Sequence, residues 1–264
     1  MIKLIVSDLD GTLIPEGSQQ IEPGFEEVLS RLLDRGYLFY AASGRQYANM
    51  YRKFGKYSER MGFICENGSL AMEKGEQEYI EEIPQDKACV IVKDIMNFSE
   101  TDILLSGVKC CYIKPRTEWY ENHIFNILNN DSVIFENLDD INDQIIKIAM
   151  YVYDFSINAD RIRTFLIGKY GDYADFVFGG NDWIDMIPKG SGKGKALRKI
   201  LDKKGIAPDE IMVFGDNQND ISMLELTGNS YAMEHAKPDV KACAGHTCVS
   251  VTAFLREFLG KGNS

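Results

Sequence analysis

The chain has 264 residues, 45% of them apolar, and carries 29 Lys+Arg against 40 Asp+Glu for a net charge of −11. That length suits one large α/β domain or two smaller ones with sizeable cores, and the acidic balance argues against a nucleic-acid surface, which needs a basic stripe to displace counterions. No apolar run approaches the ~18 residues of a membrane span, and no basic region, apolar stretch and cleavage site succeed one another at the N-terminus, so a cytoplasmic protein is expected.

In chain order, Ile2, Leu4, Ile5 and Val6 form the short apolar run of a strand covered on both faces, and the turn residues Gly11 to Gly17 end it. Phe25, Val28, Leu29, Leu32 and Leu33 then recur at helical spacing, with Gly36 as a C-terminal cap. "YLFYAAS" (Tyr37 to Ser43) reads as a second buried strand, completing a βαβ unit and starting a parallel sheet. "MGFICENG" reads as a further strand, and "SLAMEKGEQEYIEEI" as a hairpin turning at Lys74-Gly75.

From about Pro84 to Asp182 the pattern changes. "ACVIVKDIMNF" and "WYENHIFNILNN" suit amphipathic helices, while "KCCYIKP", "IIKIAMYVYD" and "ADFVFGGNDWIDMI" suit strands, the last with a Gly-Gly-Asn-Asp turn. This is enough chain for an inserted α+β domain. The α/β pattern resumes with a helix through Ala196, Leu197, Ile200 and Leu201, a stop at Gly205, the strand "IMVFG" and a helix from about Asp220. The expectation is a doubly wound, Rossmann-like parallel sheet over residues 1–83 and 183–264, interrupted by an α+β insert over 84–182.

Ligands of open parallel sheets bind outside the carboxyl ends of the strands. Three polar clusters fall at such ends: Asp8/Asp10, Ser43-Gly44-Arg45 and the run Gly215-Asp216-Asn217-Gln218-Asn219-Asp220. Asp8-Leu9-Asp10 fits a turn with local Asx hydrogen bonds, or a site in which one carboxylate is a nucleophile or metal ligand and the other a proton carrier. A calcium loop fits poorly, because Gly11 is fourth from Asp8 and the twelfth residue is Gln19. Asp216 stands to meet Asp8 across neighbouring strands, and carboxylates so clustered repel or take up protons unless a hard cation such as Mg²⁺ joins them.

"PKGSGKGKAL" is no Walker loop, since Ile187 stands five residues before Gly192 and Gly194 follows Lys193. Lys193 is either a solvated side chain on a glycine-rich connector or, at a helix start where a cation is disfavoured, the partner of a nearby anion. Ser43-Gly44 offers a hydroxyl and an open backbone N–H to phosphate oxygens. The six cysteines contain no C-x-x-C pair and read as reduced apolar side chains, and His123, His235 and His246 show no partner spacing.

In this order the clusters resemble the motifs of the haloacid dehalogenase superfamily of phosphatases: D-x-D-G-T at Asp8 to Thr12, then Ser43, then Lys193, then G-D-x-x-N-D at Gly215 to Asp220. The insert between the second and third motifs is similar to the type IIB cap of Cof-like sugar phosphatases, as are "ENG" at Glu66 to Gly68 and "MIPKG" at Met186 to Gly190. The resemblance spans the whole chain. It implies that Asp8 is the nucleophile of an aspartyl-phosphate, that Asp10 is the general acid/base, and that Asp8, the Asp10 backbone carbonyl and Asp216 bind Mg²⁺. It further implies that Leu9 (backbone), Ser43, Gly44, Lys193 and Asn219 hold the phosphoryl group, with Asp220 supporting the metal site from behind.

The partner so implied is a small-molecule phosphomonoester, neither nucleic acid nor membrane, with the chain a monomer or weak homodimer. The chain departs from the pattern in having Gly192 before Lys193, "MEHA" (Met233 to Ala236) where "MGNA" is usual, and "HTCVSVTAFLREF" in place of an Asn-Asp/Glu-rich loop. Two alternatives share these residues: a mutase passing the phosphoryl group to another sugar, and a catalytically silent metabolite-binding protein.

Overall fold

Leu4, Ile5 and Val6 are fully buried in β1 (Leu4–Asp8) of a computed structural model that describes residues 1–128, 130–177 and 182–261. The chain continues through α1 (Phe25–Asp34), β2 (Leu38–Ala42), α2 (Tyr47–Phe54), β3 (Gly62–Cys65), β4 (Leu70–Glu73) and β5 (Glu76–Ile80). The second stretch holds α3 (Gln85–Ile95), β6 (Thr101–Gly107), β7 (Cys111–Ile113), α4 (Glu118–Asn122), β8 (Ser132–Ile134), β9 (Ile145–Val152), α5 (Phe155–Tyr170), β10 (Ala174–Val177) and β11 (Trp183–Pro188). The last holds α6 (Lys193–Lys204), β12 (Ile211–Gly215), α7 (Ile221–Leu224), β13 (Ser230–Met233), α8 (Pro238–Ala242), β14 (His246–Cys248) and α9 (Val251–Lys261).

The chain divides into two compact units, Met1–Tyr79 with Gly192–Ser264, and Ile80–Ser191. In the first, the strand order is β14-β13-β12-β1-β2-β3-β4-β5. The pairs from β14 through β3 are all parallel, and β4 turns back antiparallel on β3. Alternate residues of β1 face opposite layers, as a doubly wound sheet requires. Leu4 and Val6 join Ala196, Leu197, Ile200 and Leu201 of α6, while on another side of β2 Phe39 meets Phe25 of α1 at 5.5 Å between ring centroids. Gly36, at φ 84°, follows α1 as its stop, and the hairpin turns at Lys74-Gly75, where both residues have positive φ.

The second unit is an α+β layer with strand order β10-β11-β9-β6-β7-β8, antiparallel except for the β7/β8 pair. Its core joins Ile91, Val92 and Ile95 of α3 and Ile162 and Leu166 of α5 to Ile103, Ile148 and Met150 of the sheet. The boundary expected after Asp182 differs here. β11 pairs with both β9 and β10, so the strand assigned to the core from sequence belongs to the second sheet, and the chain leaves that unit only at Ser191. The first boundary likewise falls at Ile80, four residues earlier than expected. The Gly-Gly-Asn part of the expected turn, Gly179 to Asn181, lies outside the described residues. Among the described residues no helix is long and apolar enough to cross a membrane.

In this unit Asp94 of α3 accepts hydrogen bonds from Lys169 Nζ and Tyr170 Oη of α5. These bonds hold its carboxyl below the usual carboxylate range, the Lys169 bond most strongly. A carboxylate depressed in this way adds stability above its unfolded pKa of ~3.9 and loses that contribution as pH falls through the folded value. Asp94→Asn is therefore expected to destabilise the fold by about 0.5–1.5 kcal/mol at pH 7. In thermal melts the difference should close below about pH 4; equal melting at neutral pH would remove Asp94 as a clasp between the two helices.

Candidate active site

Three strand ends and one helix start supply the site. β1 and β12 are adjacent and parallel with Ser7 level with Phe214, so Asp8 and the Gly215-Asp216 step leave the sheet at the same height. Strand order runs from β1 one way to β2 and β3 and the other way to β12 and β13, which makes this the topological switch point. The first residue of α6, Lys193, is completely buried here, and its Nζ lies 2.5 Å from Asp8 Oδ1 and 2.6 Å from Asp220 Oδ1. Burial works against the ammonium charge, but the Asp220 and Asp8 carboxylates outweigh it and hold the lysine pKa above its ordinary value. The choice the sequence left open is decided by that geometry: the lysine is an ion-pair partner and not a solvated side chain.

Asp8 is buried, and only one of its oxygens is engaged. Oδ1 meets Lys193, while Oδ2 has no hydrogen-bond partner among the described residues. Burial first, then repulsion from Asp220, raises the Asp8 pKa well above the carboxylate range against the pull of Lys193. Burial and Asp220 likewise raise that of Asp216, whose Oδ1 accepts a 2.9 Å bond from Thr12 Oγ1. Oxygens of Asp8, Asp216 and Asp220 lie within 4.8 Å of one another.

Those three carboxylates are not equivalent. Asp220 Oδ1 is taken by Lys193, and its Oδ2 accepts the backbone N–H groups of Asp216 and Asn217 at 3.0 Å each. Asp220 therefore braces the loop, whereas Asp8 Oδ2 and Asp216 Oδ2 retain acceptor capacity. An unpartnered buried carboxylate oxygen beside a second carboxylate is a hard-oxygen donor set, and such a set fits Mg²⁺ or a like cation. Gly11 completes the cradle: at φ +91° it lies so close to Asp216 that a Cβ would stand 2.3 Å from Oδ2.

Asp10 is exposed and differently held. Arg45 donates from Nε to Oδ2 at 2.8 Å and from Nη2 to Oδ1 at 2.5 Å, and Ser43 Oγ donates to Oδ2 at 3.3 Å. Although partial desolvation by its neighbours opposes it, the Arg45 hydrogen bond and charge hold the Asp10 carboxyl below its ordinary range. Ser43 is buried at the end of β2, and Gly44 follows it. The Leu9 side chain is wholly buried, and its carbonyl accepts from Thr12 and Ile14 N–H, which folds the turn after β1. Asn219 lies on the short turn Gln218–Asp220, its Nδ2 donating to Asn67 Oδ1 at 3.1 Å. A cleft of about 400 Å³ opens beside these groups, lined by Asp10, Gly11, Pro15, Ser18, Asp216 and His235 among others.

Asp8, Leu9, Asp10, Ser43, Gly44, Lys193, Asp216, Asn219 and Asp220 thus fall at this end of the first sheet. Sequence reasoning gave no role to Thr12, Arg45 or Asn67. Each sits inside or beside a recognised motif, but its partner is set by the fold. His235, also unassigned, places Nε2 3.9 Å from Asp216 Oδ2.

Residues 5–253 match the family model of haloacid dehalogenase-like hydrolases. The chain belongs to that family. A relative in Escherichia coli K12, 5-amino-6-(5-phospho-D-ribitylamino)uracil phosphatase YbjI, is 28% identical over 92% of this chain and 89% of its own. The HMP-PP phosphatase of Klebsiella pneumoniae is 26% identical over 98% of this chain and 96% of its own. The solved structure of the HAD subclass IIB sugar phosphatase BT4131 superposes with a TM-score of 0.79 over 97% of this chain and 98% of that one; at 22% identity it speaks for the fold. As a haloacid dehalogenase-like hydrolase, the protein is a phosphatase acting on small phosphorylated substrates.

The Gly11 cradle can be tested directly. Gly11→Ala is expected to leave the circular dichroism spectrum intact while weakening Mg²⁺ binding at least about tenfold, the scale of a disturbed support for a metal ligand. Unchanged binding in calorimetry would remove Gly11 as a support of Asp216.

Proposed function

We propose that this phosphatase hydrolyses a small phosphomonoester, a sugar phosphate before other classes, with Mg²⁺ and through an aspartyl-phosphate on Asp8, acting in the cytoplasm as a monomer or weak homodimer. The observation that carries this reading is the state of Asp8: Lys193 anchors its carboxylate through Oδ1 while Oδ2 is unpartnered, so a fixed, buried carboxylate keeps capacity for a cation and for phosphorus. A carboxylate oxygen of Asp8 forms a bond to phosphorus as the phosphorus–oxygen bond to the leaving group breaks, and the protonated Asp10 gives its proton to the departing alkoxide. Water then attacks phosphorus, Asp10 takes a proton from it, and the bond to Asp8 breaks to release inorganic phosphate.

The Arg45 pair keeps Asp10 ionised, the form that serves the second step. Donation in the first step requires Asp10 to part from the guanidinium. Ser43, the Gly44 and Leu9 backbones, Lys193 and Asn219 hold the phosphoryl oxygens. Mg²⁺, held by Asp8, the Asp10 carbonyl and Asp216, supplies the positive charge that lets an anionic carboxylate meet an anionic phosphate. Relatives named for different substrates match this chain across both of its units, and we assign substrate choice to the inserted unit, the cap, and phosphoryl chemistry to the first.

Inorganic phosphate release from a panel of sugar, polyol, nucleotide and cofactor phosphates, including 5-amino-6-(5-phospho-D-ribitylamino)uracil, is expected with Mg²⁺ and not with chelator. Asp8→Asn should reduce it by at least about 10³-fold with folding preserved. Near-normal turnover in that variant would refute the nucleophile. Transfer to a second sugar in preference to water would make the chain a mutase, and binding of Mg²⁺ and phosphate without turnover a silent binder.

A further inference from the structure

The turn after β3 is a conformational oddity at the centre of the site. Glu66 and Asn67 have φ of 51° and 57°, a region that residues with side chains seldom enter, and Gly68 follows at φ 98°. All three are buried. Two successive left-handed residues persist only where their surroundings over-determine them, and such places cluster at functional sites.

The surroundings here are the phosphoryl-binding motifs. Glu66 N–H donates to Arg45 O and Asn67 N–H to Ser43 O, both at 3.1 Å, which ties the turn to the end of β2. Asn67 Oδ1 accepts from Asn219 Nδ2 at 3.1 Å, which ties it to the turn after β12. Gly68 lies against the segment before α6, where a Cβ would stand 2.3 Å from the Gly192 carbonyl carbon and 2.5 Å from Lys193 N. One turn of three residues therefore touches all three segments that carry Ser43, Lys193 and Asn219.

We propose that Asn67 is a positioning residue of the phosphoryl pocket, its side-chain oxygen fixing the Asn219 amide so that an N–H, and not the carbonyl oxygen, is presented to the phosphoryl group. This rests on the phosphate-binding role given above to Asn219. An Asn side chain has two faces of opposite polarity, and its carbonyl oxygen turned toward a phosphate would repel it. An acceptor placed against Nδ2 engages one of its two N–H groups, selects that orientation, and leaves the second N–H for a ligand. Asn67 also suits its own backbone, because asparagine tolerates left-handed φ better than other residues with side chains.

Asn67→Gly keeps the left-handed backbone without strain and removes only the amide, whereas Asn67→Ala removes the amide and adds strain. The full-length variants, with Asn219→Ala and the double variant Asn67→Gly/Asn219→Ala, are compared in calorimetric binding of inorganic phosphate in the presence of Mg²⁺, in kcat and KM, and in thermal melts. Both Asn67 variants are expected to bind phosphate about tenfold more weakly, the scale of one hydrogen bond to a charged group. Asn67→Ala should melt lower than Asn67→Gly, and the double variant should be no weaker than Asn219→Ala alone. Wild-type phosphate affinity in Asn67→Gly, or losses that multiply in the double variant, would overturn the proposal while leaving the phosphatase reading intact. A wild-type protein that binds phosphate without turnover would instead refute the phosphatase reading, with the comparison of Asn67 variants still decisive for the proposal.

Discussion

A fully buried ammonium holds this site together. Lys193 has no access to water, and removing such a charge from solvent costs several kcal/mol unless its partners are close and well placed. Asp8 and Asp220 are its partners, and they come from opposite sides of the switch point, one from β1 and one from the turn after β12. Lys193 thus fixes the distance between the first and last motifs. The remaining contacts are arranged around this constraint: Asp220 gives its second oxygen to the loop that carries Asp216, and Thr12 draws Asp216 back toward β1.

The arrangement leaves excess negative charge beside an orphaned oxygen. Asp8 and Asp216 both have raised pKa values because one lysine does not neutralise three carboxylates at such close range. A bound cation relieves that repulsion, and an incoming phosphate is then met by a site whose charge is balanced. Asp10, only two residues from Asp8, lies outside this cluster in an exposed pair with Arg45, so the two carboxylates of the first motif occupy environments that push their proton affinities in opposite directions.

Much of this was legible in the sequence because it is locally encoded. Buried strands β1 and β2 are short apolar runs, α1 carries a clean apolar stripe at Phe25, Val28, Leu29 and Leu32, and the motif residues follow strand ends. The helix α5 was not legible, since Ile157, Phe165 and Ile167 are exposed and blur the stripe of Ala159, Ile162, Leu166 and Tyr170. The true end of the insert was hidden as well. Whether β11 belongs to one sheet or the other is decided by its pairing with β9, more than thirty residues earlier, which no local pattern records. Arg45 on Asp10 and Asn67 on Asn219 are likewise facts of side-chain placement across the fold.

Asp8 and Lys193 stand 185 positions apart, and Thr12 and Asp216 stand 204 apart. On a ribosome adding ~5–20 residues per second, Asp8 emerges many seconds before its counter-ion exists. The whole inserted unit is synthesised in that interval. A nascent or truncated chain therefore carries the Asp8 carboxylate without its lysine partner, and this buried ion pair can form only once residue 193 has been made.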